Sequence, residues 1–385
     1  MMNQSWINIC IGIKRSLLQD DVVVSGNIYW EEILEQAKKQ GIVAIVYDGL
    51  SSFMPEDVRT KWYSYFLQGV ANSVQISRET KMLVSVLQNH RISFCILKGM
   101  AAAIYYPKPA YRQMGDVDFI VPVKYFNEAK KILDTNGYVI DSSEENNPRH
   151  IVLRKNSILF EMHHYFGYDG SGIDYYIDRC WDIIESDRTL NAEFPRLPQL
   201  ENGLVLLEHF KQHLHSGVGI RQLLDWMMYV HSGLDDDYWF SIFQKEARNL
   251  GTEKLAVVST HLCQMYLGLS LKLTWCSHAD EMVCEKLLEN IIQSGNFGIN
   301  NGNGKAVEKT IINLRKHGMF KYLQKAGEYN WDTYHRHTWL KPFAWVYQIG
   351  RYIRQGIERK NGIVLGDDLA RSSERFNLLK ELDLL

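Results

Sequence analysis

The residues best suited to chemistry lie in the segment RQMGDVDFIV, residues 112–121. Asp116 and Asp118 stand two positions apart in an apolar stretch that predicts a strand, so the two carboxylates share one face. Adjacent carboxylates repel each other unless a cation lies between them. Mg²⁺ is the expected cation, because it binds carboxylate and phosphate oxygens. A solvated pair of aspartates near a strand edge is the alternative that this spacing leaves open.

Two neighbouring segments carry further candidate groups. Upstream, ILKG predicts a strand that runs into Lys98 and Gly99 and then into a helix. Glycine at such a junction lets the backbone approach a ligand closely, and a helix N-terminus offers unpaired N–H groups to phosphate. Downstream, Glu161 stands in the apolar run ILFEMHH, where a buried charge needs a partner. A metal shared with the aspartates would be such a partner.

Arg112 and two histidines flank these carboxylates in the sequence. Arg112 precedes the aspartate pair, and its planar guanidinium is expected either to contact phosphates or to form a salt bridge that orients one aspartate. Strand alternation places His163 on the face of Glu161, where it can line the site. The same alternation points His164 the other way, so a structural role is expected for it.

A later helical segment carries weaker candidates. Arg221 and Asp225 stand four apart, so they can pair on one helix face; alternatively Arg221 reaches across a cleft to a nucleotide. His209 and His213 have the spacing of a helical metal site, but the glutamate of a metalloprotease motif does not follow His209. We therefore expect histidines that line a cleft or the core.

The bulk composition excludes several classes of protein. The 385 residues carry a formal net charge of −2, so no overall field favours nucleic acid or an anionic membrane, although a local basic patch is not excluded. Six scattered cysteines without a C-x-x-C pair predict neither a disulfide framework nor a zinc site. The N-terminal apolar run is short and is followed by basic residues, unlike a signal peptide. No stretch reaches the length of a membrane span, and we expect a cytoplasmic protein.

The hydrophobic pattern predicts an α+β fold in which a mixed sheet is flanked by helical regions. Helical spacing dominates residues 1–88; short strands and helices alternate over residues 89–197. A C-terminal helical domain follows over residues 198–365, and residues 366–385 are expected to be a polar tail. Residues 154–157 are expected to form the turn of a hairpin. Within the helical domain, residues 294–305 predict a polar Gly/Asn loop.

A basic and aromatic segment at residues 338–360 has two interpretations. It can touch a membrane surface or nucleic acid, or it can be an amphipathic helix that packs its aromatic side chains on the protein. The second interpretation is favoured, because the overall charge of the chain gives the first no support.

The ordered set L-K-G, R-x-x-x-D-V-D-F-I-V and a strand-borne glutamate resembles the nucleotidyltransferase superfamily of the DNA polymerase β type. More closely, it is similar to an uncharacterised bacterial branch of that superfamily. GIRQLLDW at residues 219–226 and GNFG at residues 295–298 also resemble elements of that branch. The resemblance spans roughly residues 30–350. One departure is Gly99-Met100, where the wider superfamily has Gly-Ser or Gly-Gly, so no serine hydroxyl is available to a phosphate.

The resemblance implies transfer of a nucleoside monophosphate from an NTP, with ATP the expected donor, to an acceptor. It implies metal chemistry at Asp116, Asp118 and Glu161 with Mg²⁺, or with Mn²⁺ in its place, and phosphate contacts from Lys98 and Gly99. A small-molecule acceptor is expected. The alternatives are a toxin that modifies RNA or protein, which a basic groove would favour, and a non-catalytic nucleotide-binding protein, which three converging carboxylates argue against.

Removing one carboxylate tests this interpretation. Asp118→Asn is expected to abolish activity while the melting temperature of the metal-free protein stays level or rises, because the substitution relieves carboxylate repulsion.

Overall fold

A computed structural model describes residues 2–24, 27–141, 147–168, 171–186, 193–215, 217–295, 318–331, 338–358 and 365–385. Within these ranges a five-stranded mixed sheet follows one group of helices and precedes another, which confirms the predicted α+β class. Among the described residues, no helix is both long enough and apolar enough to span a membrane. All six cysteines fall in these ranges, and each is buried and forms no disulfide.

Among the described residues, four α-helices precede the sheet, within the region where helical spacing was predicted. They are α1 (Gln4–Leu18), α2 (Trp30–Gln40), α3 (Val43–Leu50) and α4 (Glu56–Asn89). Pro55 occupies the N-cap position of α4 in an extended conformation, and Glu56 and Asp57 in the first turn complement the helix dipole. The helix stops where Arg91 adopts a left-handed φ of +56°. At 34 residues, α4 is long enough to support both the sheet and the loop that leads into it.

The sheet has the order β1-β2-β5-β4-β3, with β2 and β5 parallel and all other neighbours antiparallel. The elements of this region are β1 (Cys95–Ile96), α5 (Lys98–Ala103), β2 (Asp116–Ile120), α6 (Val123–Thr135), β3 (Val139–Ile140), β4 (His150–Lys155) and β5 (Ile158–His163). The strands around the candidate residues and the helix after β2 agree with the sequence analysis. The short edge strand β3 was not predicted, because two residues carry no periodicity.

Strand alternation gives the sheet one apolar face and one polar face. Val117, Phe119 and Phe160 belong to a buried core that includes residues of α4 and α6. The register pairs Asp118 with Glu161 and His163 with His150, so all four side chains lie on the opposite face. The sheet therefore presents a row of ionisable groups on the side away from its apolar core.

The hairpin of β4 and β5 turns in two residues, not the four predicted. Asn156 and Ser157 both have positive φ values, +49° and +65°, as a two-residue turn of type I′ requires. The side chain of Asn156 donates hydrogen bonds to both carboxylate oxygens of Glu79 on α4, at 3.1 Å each. Arg154 and Lys155 therefore belong to β4 rather than to the turn, and Lys155 pairs with Ile158.

The remaining helices follow the sheet. They are α7 (Ile173–Asp178), α8 (Trp181–Ser186), α9 (Gln199–Leu214), α10 (Ile220–His231), α11 (Asp236–Tyr238), α12 (Gln244–Asn249), α13 (Glu253–Tyr266), α14 (Glu281–Ser294), α15 (Met319–Asn330), α16 (Ala344–Glu358) and α17 (Leu365–Glu381). The long helices α9, α10 and α13 confirm predicted segments. Gln40 on α2 accepts a hydrogen bond from the backbone N–H of Ile220 at 2.8 Å. The two helical regions therefore share one buried core rather than forming separate ones.

The C-terminal segment differs from the expected polar tail. Residues 366–385 lie mostly in α17, where Leu378 and Leu379 are buried, and Leu382 just after the helix is buried as well. These leucines recur at helical spacing and pack into the shared core, which explains why a segment of polar composition is helical. The predicted Gly/Asn loop and the GNFG element lie, apart from Ser294 and Gly295, outside the described residues.

The basic and aromatic segment contains α16, in agreement with the amphipathic-helix interpretation. Trp345 packs against Phe320 of α15 with ring centroids 5.7 Å apart, and Tyr347 stacks on Trp331 at 5.0 Å. These aromatic rings therefore contact the protein itself.

Candidate active site

The parallel pair of β2 and β5 brings the three candidate carboxylates together. Asp118 lies directly opposite Glu161 in the register, and Asp116 lies two residues earlier on the same face. One ligand atom from each of Asp116, Asp118 and Glu161 lies within 4.8 Å of the others. The loop before β2 is held by α4, where Asn72 donates to the carbonyl of Met114 at 2.8 Å. The carboxylates therefore stand on a supported strand rather than on a free loop.

Lys98 points into this cluster from the junction of β1 and α5. Its Nζ lies 2.7 Å from Oδ1 of Asp118 and 3.8 Å from Oε2 of Glu161. The backbone N–H of Leu97 donates to the carbonyl of Asp118 at 2.9 Å, which fixes the junction on β2. Lys98 has a φ of +45°, a left-handed conformation that is strained for a residue other than glycine. The backbone thus aims an ammonium group at the carboxylates at some cost in conformational energy.

The two aspartates are in opposite electrostatic situations. Burial, together with the charges of Asp118 and Glu161, raises the pKa of Asp116 to about 6. Burial opposes ionisation of Asp118 as well, but the Lys98 ammonium and His163 outweigh it and hold the pKa of Asp118 well below its ordinary value. The pKa of Lys98 is raised, because the carboxylates around it outweigh the effect of burial. Asp116 is therefore the poorly compensated charge of the cluster.

Asp116→Asn is expected to stabilise the metal-free protein at neutral and alkaline pH by about 3 kcal/mol, since raising the pKa of Asp116 from its ordinary value of 3.8 to about 6 costs roughly 1.4 kcal/mol for each unit. A raised carboxyl pKa lowers stability above that pKa, so the gain should fade as the pH falls from about 6 to about 4. Thermal melts of both proteins in chelator across this range measure the effect. Asp134→Asn, at an exposed position of α6, is the control and should change little.

Arg112 forms a salt bridge, but with Asp225 of α10 rather than with either aspartate of the pair. Its Nε and Nη2 donate to the two carboxylate oxygens of Asp225 at 2.8 and 2.6 Å. Both side chains are buried, and the hydroxyl of Tyr106 donates to the same carboxylate at 2.8 Å. The main partners of Asp225 thus lie outside its own helix. This contact joins the loop before β2 to the C-terminal helices.

Arg221 lies between this ion pair and the carboxylates. Its Nη1 donates to the carbonyl of Gln113 at 2.8 Å, and the residue is buried. Burial and the neighbouring Arg112 lower the pKa of Arg221 to about 10, while Asp225 and Asp116 act in the opposite direction. A buried guanidinium whose charged form is disfavoured would gain from an anionic ligand.

Gly99 follows Lys98 and is buried. A Cβ at this position would meet Nη1 of Arg112 at 3.5 Å and side-chain atoms of Met114 at 3.8 Å, which are ordinary contact distances. Packing within the protein therefore leaves room for a larger residue than glycine. The expectation that Gly99 lies next to a ligand therefore depends on close approach of that ligand to the backbone, not on packing within the protein.

Two histidines, His163 and His150, lie beside the carboxylates. Nε2 of His163 lies 3.1 Å from Oδ1 of Asp118 and 3.4 Å from Oε2 of Glu161, so it lines the cluster as expected. His150, directly across the hairpin from His163, was not singled out in the sequence analysis. Burial, followed by the charge of His163, lowers the pKa of His150 to about 4. His164 packs instead against Phe126.

His209 and His213 form a pair on α9, with their Nε2 atoms 2.8 Å apart. Burial, followed by the charge of His213, holds the pKa of His209 well below its ordinary value. Lys98 lowers this pKa further and Asp118 raises it, both more weakly. These charges act on His209 because α9 lies on the polar side of the sheet. Neither histidine belongs to a metal-ligating group of three among the described residues.

The donor set at β2 and β5 fits a hard divalent cation. Three carboxylates converge there, and the charge that faces them is the ammonium group of Lys98. A cavity of about 1050 Å³ lies elsewhere, lined by residues that include Arg78, Met100 and Met114. Its described lining contains none of the three carboxylates.

A mixed sheet that presents two aspartates and a glutamate beside a lysine has the donor set that metal-assisted phosphate chemistry uses. A family model described as an uncharacterised nucleotidyltransferase matches residues 26–268, which include every candidate residue named above. The chain belongs to this nucleotidyltransferase family. A comparison with curated proteins found no match.

Proposed function

We propose that this chain transfers a nucleoside monophosphate from an NTP, with ATP the expected donor, to a small-molecule acceptor. The observation that carries the proposal is the convergence of Asp116, Asp118 and Glu161 beside Lys98. In the reaction an acceptor oxygen bonds to the α-phosphorus, the bond to the β-phosphate oxygen breaks, and pyrophosphate leaves.

The three carboxylates would hold Mg²⁺, or Mn²⁺ in its place. Bound there, the cation would neutralise charge on the triphosphate and on the leaving pyrophosphate. Asp118 is poised for this role because its pKa is depressed and it is ionised at neutral pH. Asp116 would become fully ionised when a second positive charge arrives, since its raised pKa reflects burial and repulsion by its neighbours.

Lys98 and Arg221 supply positive charge on the phosphate side of the site. The ammonium of Lys98 is shared between Asp118 and Glu161. A cation that binds these carboxylates would release Lys98 toward the triphosphate, where its charge is needed. Gly99 leaves room for the phosphates to approach the backbone. Arg112 acts indirectly: its guanidinium is paired with Asp225, and this ion pair positions the loop before β2.

Glu161 is more exposed than Asp118, with 28% of its side chain accessible compared with 5%. That position suits two roles: completing the metal site, or accepting the proton of the acceptor hydroxyl as a general base. His163, buried next to Glu161, orients its carboxylate in either case.

Lys98→Gly is expected to weaken binding of NTP in the presence of Mg²⁺ by roughly 10–100-fold, because a hydrogen bond to a charged group contributes about 1.5–3 kcal/mol. Glycine is the better replacement than alanine, since the φ of +45° suits glycine and the backbone is thereby preserved. Isothermal titration with each NTP and Mg²⁺ measures the change.

Lys245→Ala, an exposed position on α12, is the matched control and should bind as the unmodified protein does. If Lys98→Gly folds normally and binds every NTP with unchanged affinity, Lys98 does not contact the phosphates.

A further inference from the structure

A second group of possible ligands lies beside the carboxylate site. His150 on β4 pairs directly with His163 on β5, and Glu161 precedes His163 by two residues on the same face. One ligand atom from each of the three residues lies within 4.8 Å of the other two. This group shares Glu161 with the group of three carboxylates, and Nε2 of His163 lies 3.1 Å from Oδ1 of Asp118. The group is nonetheless a distinct set of donors, built by the hairpin and not by the parallel strands.

Two buried ring nitrogens in this group have no hydrogen-bond partner. His163 is 2% exposed and His150 is 9% exposed, and their ring centroids lie 4.9 Å apart. Nδ1 of each ring is buried and has no partner among the described residues. Buried polar atoms are nearly always satisfied, so two adjacent exceptions beside a carboxylate indicate that a ligand belongs there.

The donor chemistry selects the ligand. Imidazole nitrogen suits zinc, copper, iron and nickel, whereas Mg²⁺ prefers oxygen donors and binds at carboxylates. Two imidazoles with one carboxylate leave a coordination position open, as in sites that take a water molecule or a substrate. The neighbouring set of three carboxylates has the opposite preference.

We propose that His150, His163 and Glu161 bind a transition-metal ion of the Zn²⁺ class. Glu161 belongs to both donor sets, so an ion at the histidines and an ion at the aspartates compete for the same carboxylate or share it. The site shares Glu161 and His163 with the proposed transfer site, but ion binding there requires only these three side chains and no nucleotide.

The experiment uses the full chain, freed of metal with a chelator and then titrated with Co²⁺ while its visible absorption is recorded. One equivalent is expected to bind. His150→Gln should weaken binding by at least the roughly 10–100-fold that loss of an outer-shell partner costs. Asp116→Asn should bind Co²⁺ as the unmodified protein does, because it lies outside this group. His164→Gln, next to His163 but on the other face, is the matched control.

X-ray absorption spectroscopy of the Zn²⁺-loaded unmodified protein identifies the ligands of the zinc without any variant. Two imidazole ligands are expected in its spectrum. The proposal is overturned if only oxygen donors surround the zinc, if His150→Gln binds Co²⁺ with unchanged affinity, or if the unmodified protein binds no Co²⁺. Loss of Co²⁺ binding in Asp116→Asn alone would place the ion at the aspartates and overturn it equally.

Discussion

Asp118→Asn is expected to reduce nucleotidyl transfer by about 10²–10³-fold, the usual effect of removing one preorganised electrostatic contact at a reacting centre. The pKa of Asp118 is held below its ordinary value by Lys98, whose Nζ lies 2.7 Å from its carboxylate, and by His163, whose Nε2 lies 3.1 Å away. Asparagine keeps the shape of the side chain but removes the charge that a divalent cation requires. Release of pyrophosphate from NTP in the presence of an acceptor pool measures the loss.

The same variant reverses one expectation drawn from the sequence. Repulsion between adjacent aspartates predicted that Asp118→Asn would leave the metal-free protein as stable or more so. In the structure Asp118 is paired, and its depressed pKa means that it stabilises the fold above its ordinary pKa and loses this effect as the pH falls. We therefore expect a loss on the order of 2 kcal/mol near neutral pH, from the broken charged hydrogen bond to Lys98.

Asp116→Asn is the matched comparison, because it removes an equal charge two residues away and should instead stabilise the metal-free protein. Equal melting behaviour of the two variants in chelator would contradict the assignment of opposite pKa shifts. Full transferase activity in a folded Asp118→Asn protein would exclude Asp118 from the site.

Asp225→Asn is expected to destabilise the protein by about 3–5 kcal/mol, the usual cost of removing one partner from a buried ion pair. Asp225 accepts two hydrogen bonds from Arg112 and one from Tyr106, and Arg112 is 4% exposed. Without this carboxylate, the guanidinium groups of Arg112 and Arg221 would remain buried close to each other with less compensating charge. Urea denaturation followed by circular dichroism measures the loss of stability.

Asp141→Asn is the control, since Asp141 also pairs with an arginine but at the surface. Its partner Arg154 is 58% exposed and lies 3.1 Å away, and such pairs contribute about 0–1 kcal/mol. A similar loss of stability in both variants would show that the buried pair is no stronger than the surface pair. It would also remove the reason for assigning Arg112 a positioning role.

Local patterns were enough to predict which side chains share a face of the sheet. Period-two alternation put Asp116 with Asp118 and Glu161 with His163, and the structure places all four on one side. The apolar residues between them form the opposite face. Such a prediction works because the side-chain period of a strand is a property of the backbone and needs no knowledge of distant contacts.

Contacts between distant segments could not be predicted in this way. Arg112 and Asp225 are 113 residues apart in the chain, and neither segment carries a pattern that names the other as its partner. The opposite pKa shifts of Asp116 and Asp118 have the same origin, because they depend on where Lys98 and His163 lie in the folded protein. Identical residue types two positions apart therefore differ in charge state for reasons of tertiary structure alone.

His150 is the functional candidate that the sequence could have indicated. A two-residue turn at Asn156 and Ser157 pairs residue 150 with residue 163, whereas the four-residue turn expected from the sequence shifts that pairing by two positions. Under either turn His150 lies on the face of Glu161 and His163, so period-two alternation along β4 was enough to place it beside the carboxylates.

The most direct test of nucleotidyl transfer follows the label of two NTP preparations, one labelled at the α-phosphate and one at the γ-phosphate. Each is incubated with the protein, Mg²⁺ and a pool of metabolites and macromolecules, beside Asp118→Asn as the inactive control. The α-label is expected on a small-molecule product and the γ-label in pyrophosphate, with neither change in the variant. Transfer of the γ-label to a product, or no Mg²⁺-dependent consumption of any NTP, would contradict nucleotidyl transfer by this chain.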